Sequence, residues 1–305
     1  MVDAAAPPAP GAIDDLVRRI RLVPDLLRDF SESQTDAVRI HRVGRSLLDR
    51  LVQAGLPCAG DGAERRFDPL DLANVGLDLG LPSAHRLAMR WWSRALAEID
   101  EGGVTDCVLT VRCACPAPGH PGACDFTLNP ESANTPEVLE ASRQSDNGYA
   151  LRLRLSRLER CFAGDQLAVI AEAASIAYHV LPLGIRADAD FVARTRIADC
   201  RFASAYLVEQ ARAAGLEVRR SAGFLISAPY ATEHSWVDFL VDGEWLPADP
   251  VLISALARWG VVSEARWPVR RALCGVLWRT GETRPVLVRH GGEAVYERPL
   301  LTRSG

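Results

Sequence analysis

The 305-residue sequence contains no lysine, since all 35 of its basic residues are arginine. Crosslinking of the chain to itself through an ε-amine is therefore excluded, and only the N-terminus remains as an amine of its own. No apolar run approaches the roughly 20 residues that span a bilayer, so we expect no membrane partner. The formal net charge is only −4, which gives no overall electrostatic reason to expect a nucleic-acid partner.

Targeting and metal-loop signals are also scarce. The start of the chain, Met1-Val-Asp-Ala-Ala-Ala-Pro-Pro, lacks the basic and apolar regions of a signal peptide, so we expect a cytoplasmic protein. No acidic cluster resembles a calcium loop, and we expect neither calcium nor any other cofactor. In a cytoplasmic protein the eight cysteines are not expected to form a disulfide framework. Three of them are interpreted as packing residues: Cys58, Cys161 and Cys274.

The hydrophobic pattern divides the chain into three predicted segments. Residues 1–12 are rich in Ala and Pro and offer little to bury, so we expect a disordered tail. Residues 13–157 are predicted as helices followed by short strands, and they form an accessory domain. Residues 158–305 form a second domain in which helices precede antiparallel strands. This order predicts an α+β fold.

Apolar spacing predicts the individual elements. In the first half we expect helices at about 13–23, 38–55, 71–79 and 84–99, and strands at 104–113, 124–128 and 149–155. The polar, turn-rich segment 129–147 is predicted as a long loop. In the second half we expect helices at 166–180 and 199–214, and strands at 217–226, 235–241, 244–247, 272–278 and 286–288.

One cysteine lies at a predicted helix start. Asp199 is a plausible N-cap, which places Cys200 in the first turn of its helix. The helix dipole and the free backbone N–H groups at that end favour an anion, and so they favour a thiolate. Taken alone, Cys200 is better interpreted as a small buried residue, because it shares the apolar stripe of Ala203 and Leu207. Its chemical interest depends on its neighbours.

A predicted hairpin brings a histidine and an aspartate to one face. Asp242-Gly243 is a preferred two-residue turn, and if these are the central residues, cross-strand partners have numbers that sum to 485. Asp249 then lies opposite Trp236, and His234 is two residues from Trp236 on the same face. The diagonal pair of His234 and Asp249 is within side-chain reach. A turn longer by one residue would place Asp249 on the face opposite to that of His234.

These three residues suit nucleophilic catalysis. A histidine keeps a cysteine as thiolate and later protonates the leaving group, while an aspartate fixes the tautomer and orientation of the imidazole. The sequence therefore predicts Cys200, His234 and Asp249 as catalytic residues. Trp236 is predicted to pack under them and to contribute to substrate binding. Asp238 shares their face, so a contribution to the site and a solvated or structural role are equally good interpretations of its carboxylate.

The segment from Arg196 to Pro250 carries several motifs in a fixed order. Asp-Cys200 opens an apolar helix that ends in Ala-Ala-Gly, a strand containing Gly-Phe follows, and then come His234-Ser-Trp and Trp-Leu-Pro-Ala-Asp249-Pro. In these motifs and their order the segment resembles the transglutaminase-like superfamily, which has a papain-like fold. The resemblance implies a transglutaminase-like core of helix plus antiparallel sheet within 158–305, preceded by a mostly helical accessory domain with a small β portion. The first 150 residues show no such resemblance.

The resemblance also implies an activity. Cys200 is expected to attack an amide, ester or thioester carbonyl and to form an acyl-enzyme, with His234 as base and Asp249 as orienting acid. The leading interpretation is transfer of the acyl group from a small-molecule, peptide or protein donor to an amine. Hydrolysis by the same triad, in a peptidase or amidase, is the first alternative. A binding protein on a non-catalytic core is the second. The oligomeric state is left open.

Two further signals receive weaker interpretations. Cys113, Cys115, His120 and Cys124 are potential zinc ligands, but Cys-x-Cys is tighter than the usual spacing, and incidental thiols in a Gly/Pro-rich turn are the favoured interpretation. We therefore predict no metal site. The pair Trp91-Trp92 suits either a substrate groove or core anchoring of a helix, and core anchoring is favoured.

Overall fold

The computed structural model describes residues 11–100, 105–129, 137–155, 159–185, 189–227, 231–295 and 297–303. Of the predicted disordered tail, residues 1–10 lie outside these ranges, and the first helix already begins at Ala12. The described chain mixes α-helices with mainly antiparallel strands. This arrangement confirms the predicted α+β class.

The helices lie in both halves of the chain. In order, they are α1 (Ala12–Ile20), α2 (Gln34–Arg39), α3 (Arg45–Gln53), α4 (Pro69–Asp78), α5 (Ala84–Asp100), α6 (Gly164–Ala173), α7 (Ala189–Thr195), α8 (Cys200–Ala213) and α9 (Pro250–Arg258). None of the helices in the described ranges combines the length and apolarity needed to cross a bilayer.

The strands form small sheets. In order, they are β1 (Glu32–Ser33), β2 (Arg66–Phe67), β3 (Thr105–Cys113), β4 (Phe126–Leu128), β5 (Glu137–Ser145), β6 (Gly148–Leu155), β7 (Ala177–Tyr178), β8 (Ile197–Ala198), β9 (Val218–Leu225), β10 (Thr232–Val241), β11 (Glu244–Ala248), β12 (Leu277–Gly281), β13 (Val288–His290), β14 (Glu293–Ala294) and β15 (Glu297–Arg303). The two larger sheets have the orders β11-β10-β9-β12 and β15-β3-β6-β5.

Helix α8 packs against strands β9 and β10 and thereby positions the site. Its buried face, including Phe202 and Leu207, belongs to the largest apolar core of the described chain, together with Val237 and Phe239 of β10. Trp92 of α5 joins the same core. Helices from both halves therefore pack around the β9–β10 sheet.

The predicted boundary near residue 157 is crossed by strand pairing. The C-terminal strand β15 pairs with β3, and β13 pairs with β4. The second sheet thus contains strands from both sides of the predicted boundary. The division into 13–157 and 158–305 stays a prediction.

The predicted loop at 129–147 is wrong over its second part. Residues 137–145 form β5, which pairs antiparallel with β6 across a two-residue connection. Strand β5 lies at the edge of its sheet, where polar side chains can face solvent. Its largely polar sequence, Glu-Val-Leu-Glu-Ala-Ser-Arg-Gln-Ser, therefore lacks the apolar alternation by which strands are predicted.

The predicted helix at 166–180 is too long. Helix α6 ends at Ala173, and Ala177-Tyr178 then form the short strand β7, which pairs in parallel with β8. Tertiary pairing overrides the helical preference of the Ala-rich segment here. Helices α7 and α9 had no counterpart among the predicted elements.

Candidate active site

Cys200 is the first residue of α8, and its side chain is half-buried. Asp199 caps this helix, since its Oδ1 accepts hydrogen bonds from the backbone N–H groups of Arg201 at 2.9 Å and Phe202 at 3.3 Å. The Asp199 backbone carbonyl accepts the N–H of Ala203 at 2.8 Å. The first turn of a helix leaves its N–H groups without intrahelical partners, and the N–H of Cys200 is the one that Asp199 does not take up.

The hairpin has the predicted register. Strands β10 and β11 pair from Val241 with Glu244 to Val237 with Ala248, so partner numbers sum to 485. Asp242 and Gly243 adopt φ values of 51° and 82°, the positive values that a type I′ turn requires at both central positions. The turn therefore fixes the parity on which the juxtaposition of His234 and Asp249 depends.

His234 and Asp249 form a buried pair. The imidazole Nε2–H donates to Asp249 Oδ2 at 2.7 Å, and the two side chains are only 2% and 3% exposed. The other carboxylate oxygen, Oδ1, accepts the backbone N–H of Leu252 at 2.9 Å. Asp249 is thus at once the partner of His234 and the N-cap of α9. Both of its oxygens are held in place.

Cys200 reaches the same imidazole from α8. His234 is hydrogen-bonded to both Cys200 and Asp249. Burial lowers the pKa of His234, but the negative charge of Cys200 and the hydrogen bonds to Asp249 and Cys200 outweigh this effect and raise it to about 10. The imidazole therefore carries a proton at neutral pH, and it faces a sulfur on one side and a carboxylate on the other.

Two tryptophans enclose the imidazole. The Trp236 ring lies nearly parallel to His234, with centroids 6.4 Å apart and an interplanar angle of 14°. The Trp92 ring meets His234 edge-on at 6.1 Å, and its Nε1–H donates to Thr232 Oγ1 at 3.3 Å. Trp92 is buried in the core, as favoured from the sequence, while Trp91 is 39% exposed. The contact of Trp92 with His234 had no signal in the sequence.

Asp238 holds Trp236 in this position. Its Oδ1 accepts the indole N–H of Trp236 at 2.7 Å, and its Oδ2 accepts hydrogen bonds from Ser221 Oγ at 2.7 Å and Arg219 Nε at 3.0 Å. The carboxylate is 4% exposed, so the structural interpretation of Asp238 applies. Trp236 is only 2% exposed and its N–H is engaged, so little of its side chain is accessible to a substrate. Its role in substrate binding stays a prediction.

A tyrosine and an arginine near Cys200 were not singled out from the sequence. Burial raises the pKa of Tyr178, and the charges of Cys200, Asp199 and Asp249 add to this, so the phenol keeps its proton. Burial lowers the pKa of Arg220, whereas the charges of Cys200 and Asp199 oppose that change. Arg220 donates to Ser204 Oγ at 3.1 Å and to the Arg201 carbonyl at 2.8 Å. The positive charge of Arg220, fixed by these hydrogen bonds, thus interacts with Cys200.

Close strand packing behind His234 requires a glycine. Gly223 of β9 pairs with His234, and a Cβ at this position would overlap the carbonyl oxygen of Trp278 in β12. Gly223 belongs to the Gly-Phe motif noted in the sequence. Its small size lets β12 approach the strand that supports the imidazole.

The potential metal ligands do not gather as the sequence spacing suggested. Cys115, His120 and Cys124 lie together, but Cys113 is 3% exposed and belongs to an apolar core. The fourth member of the cluster is His290 of β13. No sequence-local signal pointed to that residue.

Comparison with known proteins finds a family match over the region that contains the site. Residues 170–250 match the family model described as the transglutaminase-like superfamily, a range that includes Cys200, His234 and Asp249. A search of curated proteins finds no significant match. A candidate cysteine protease of known structure from Cytophaga hutchinsonii aligns with a TM-score of 0.38 and 10% identity, over 67% of this chain and 92% of that one. Residues 170–250, which hold all three predicted catalytic residues, are therefore similar to the transglutaminase-like superfamily.

Proposed function

We propose that the protein is a cysteine-dependent acyltransferase in which Cys200 is the nucleophile, His234 the acid and base, and Asp249 the group that orients the imidazole. One observation carries the proposal: His234 is hydrogen-bonded on one side to Cys200 and on the other to the buried carboxylate of Asp249. This is the arrangement in which a cysteine–histidine pair generates a thiolate.

In the acylation half-reaction, the Cys200 thiolate attacks the carbonyl carbon of an amide, ester or thioester. A C–S bond forms and the carbonyl oxygen becomes an oxyanion, which the N–H of Cys200 at the start of α8 is placed to stabilise. The imidazolium of His234 then gives its proton to the leaving group as the C–N, C–O or C–S bond of the donor breaks. The product is an acyl-thioester on Cys200.

In the second half-reaction, an amine attacks the thioester carbonyl. His234 takes a proton from the amine, the new amide leaves, and Cys200 is restored as thiolate. Burial of the His234–Asp249 pair keeps solvent away from that side of the imidazole in both half-reactions. Asp249 keeps the same imidazole orientation in both directions of proton transfer.

The N-terminal half takes part in enclosing this site. Trp92 of α5 packs against His234. Asn74 of α4 donates to the carbonyl of Val180, and its Oδ1 accepts the N–H of the same residue at 2.8 Å, next to Tyr178. Helices α4 and α5 thus form part of the site's surroundings. We propose that they select a dedicated small-molecule, peptide or protein acyl donor.

Intact-mass spectrometry tests the proposed nucleophile. The protein is incubated with p-nitrophenyl acetate and with an acetyl thioester, and we expect an acetyl adduct on the native chain. Cys200→Ala should show none, while the matched control Cys161→Ala, which removes an exposed thiol, should acylate normally. An adduct that persists in Cys200→Ala would overturn the assignment. Failure of every donor on the native chain would instead favour a binding protein on this core.

The acceptor is tested on the trapped acyl-enzyme. The rate of deacylation is measured in buffer and with increasing glycinamide, and the products are identified by mass. We expect deacylation to accelerate with the amine and to give the amide. Deacylation that is insensitive to any amine and yields the free acid would identify a hydrolase with the same triad.

A further inference from the structure

Four metal-ligand side chains converge away from the proposed active site. The ligand atoms of Cys115, His120, Cys124 and His290 all lie within 4.8 Å of one another. We propose that these residues bind a structural zinc ion and thereby tie the 115–124 loop to strand β13. Cys113, which the sequence placed in the candidate set, is replaced by His290.

The distances within the cluster suit a tetrahedral zinc ion. Zn–S bonds of about 2.3 Å and Zn–N bonds of about 2.0 Å require S···N separations of about 3.5 Å between tetrahedral ligands. Cys124 Sγ lies 3.5 Å from His120 Nε2. The thiols of Cys115 and Cys124 are close enough to share a hydrogen bond. A zinc ion would replace this thiol contact with two Zn–S bonds.

The two histidines present free ring nitrogens to the cluster. His120 Nδ1–H donates to the carbonyl of Pro121 at 3.1 Å, which leaves the lone pair of Nε2 directed at Cys124. A backbone carbonyl that fixes the tautomer of a ligating histidine is a regular feature of zinc sites. His290 Nε2 is buried and has no hydrogen-bond partner among the described residues. A bond to zinc through Nε2 would satisfy that nitrogen.

Local structure holds the ligands in place. Gly119 and Gly122 have φ values of 94° and 84°, and these left-handed conformations turn the loop back on itself between the ligands. His290 pairs with Phe126 in the β13–β4 ladder, and its ring contacts the rings of both Phe126 and His120 with centroids 5.0 Å apart. The fourth ligand is thus delivered by strand pairing.

The composition of the set indicates a structural site. Two thiolates and two neutral imidazoles balance the charge of Zn²⁺, and four protein ligands fill its tetrahedral shell, so no position remains for water or substrate. Binding releases the two thiol protons to solvent. The ion would join the loop before β4 to a strand that lies more than 160 residues later, and so would stabilise pairing between the two halves of the chain.

Metal analysis of the full chain tests this proposal independently of any activity. After incubation with ZnSO₄ and desalting, we expect about one zinc per chain. Substitution with Co²⁺ should give the intense visible absorption of tetrahedral cobalt together with a thiolate-to-cobalt charge-transfer band. Less than a tenth of an equivalent of zinc, or a weak octahedral cobalt spectrum, would overturn the proposal on the unmodified protein.

Variants identify the ligands. Cys124→Ser and His290→Asn should each lower zinc retention at least tenfold and shift the cobalt spectrum. Cys113→Ala should keep one zinc, because its side chain faces the apolar core. Loss of zinc in Cys113→Ala with retention in His290→Asn would restore the sequence-based ligand set and refute the proposed one.

Discussion

Asp249 performs two tasks with two oxygens, and substitutions can separate them. Oδ2 accepts from His234 Nε2 at 2.7 Å, while Oδ1 caps α9 at the N–H of Leu252. In Asp249→Asn the amide has one acceptor and one donor end. If its oxygen keeps the cap, its NH₂ group faces His234 and forces the imidazole proton onto the nitrogen beside Cys200. The asparagine cannot serve both partners while His234 keeps its proton on Nε2.

The expected magnitudes follow from this geometry. Asp249→Asn should slow acylation of Cys200 on the order of 10³–10⁴-fold, because an imidazole that carries its proton on the nitrogen beside Cys200 cannot accept the thiol proton. It should cost about 1–3 kcal/mol of unfolding free energy for one mismatched buried hydrogen bond. Asp249→Ala removes both hydrogen bonds and leaves His234 buried without its partner, so we expect the free energy of unfolding to fall by roughly 3–5 kcal/mol. The two variants should therefore be similar in activity and different in stability.

Three measurements check this expectation. Acyl-enzyme formation gives the rate, urea denaturation gives the free energy of unfolding, and histidine NMR gives the pKa of His234. In the native protein that pKa is raised to about 10, and removal of the carboxylate should lower it. If Asp249→Asn acylates within threefold of the native rate and the pKa of His234 is unchanged, the assigned role of Asp249 is refuted.

Three further predictions concern the surroundings of the site. Burial lowers the pKa of His179 from 6.5 to about 4, so on acidification the unfolded state takes up a proton before the folded state does. The free energy of unfolding should therefore fall by roughly 3 kcal/mol as the pH drops from 6.5 to 4. If His179→Gln is as sensitive to acid as the native protein in urea denaturation, this expectation is contradicted. Gly223→Ala should lower the free energy of unfolding by at least about 3 kcal/mol, because the new methyl group meets the backbone carbonyl of Trp278. A smaller loss of stability on thermal denaturation would show that β12 can move. Trp236→Phe should lower the free energy of unfolding by about 1–3 kcal/mol, because it removes the hydrogen bond to Asp238. If the ring only packs, the alkylation rate of Cys200 should stay within a few-fold of the native rate.

The hairpin shows what the sequence can predict. A two-residue turn and the alternation of side chains along strands fix the register completely, so the approach of His234 to Asp249 followed from counting alone. The position of Cys200 followed from the capping preference of Asp199. These are local rules, and they hold because each concerns residues that are near in sequence or joined by a tight turn.

The metal cluster shows where local rules stop. Cys113 continues the buried alternating row of β3 that includes Cys107, Leu109 and Val111, a pattern that assigns it to the core. His290 reaches the cluster only because β13 pairs with β4. That pairing depends on tertiary packing, so no spacing near residue 115 could predict the fourth ligand.

The edge strand β5 was not predicted for a related reason. Polar residues occur on both faces of this edge strand, and its register with β6 shifts at two places. Periodicity is therefore weak, although the stretch Asp146-Asn147-Gly148 carries a turn signal that marks the hairpin. Likewise, the packing of Trp92 on His234 joins helix α5 to strand β10, which lie far apart in sequence.

The central claim is that Cys200 is an activated thiolate, and its alkylation at pH 6 tests this most directly. An ordinary exposed thiol is less than about 1% thiolate at this pH, and the thiolate is the form that reacts with iodoacetamide. After allowance for lower nucleophilicity and partial burial, we expect iodoacetamide to label Cys200 about tenfold or more faster than the exposed Cys161 in the same molecule. Labelling of Cys200 at or below the rate of Cys161 would contradict the account.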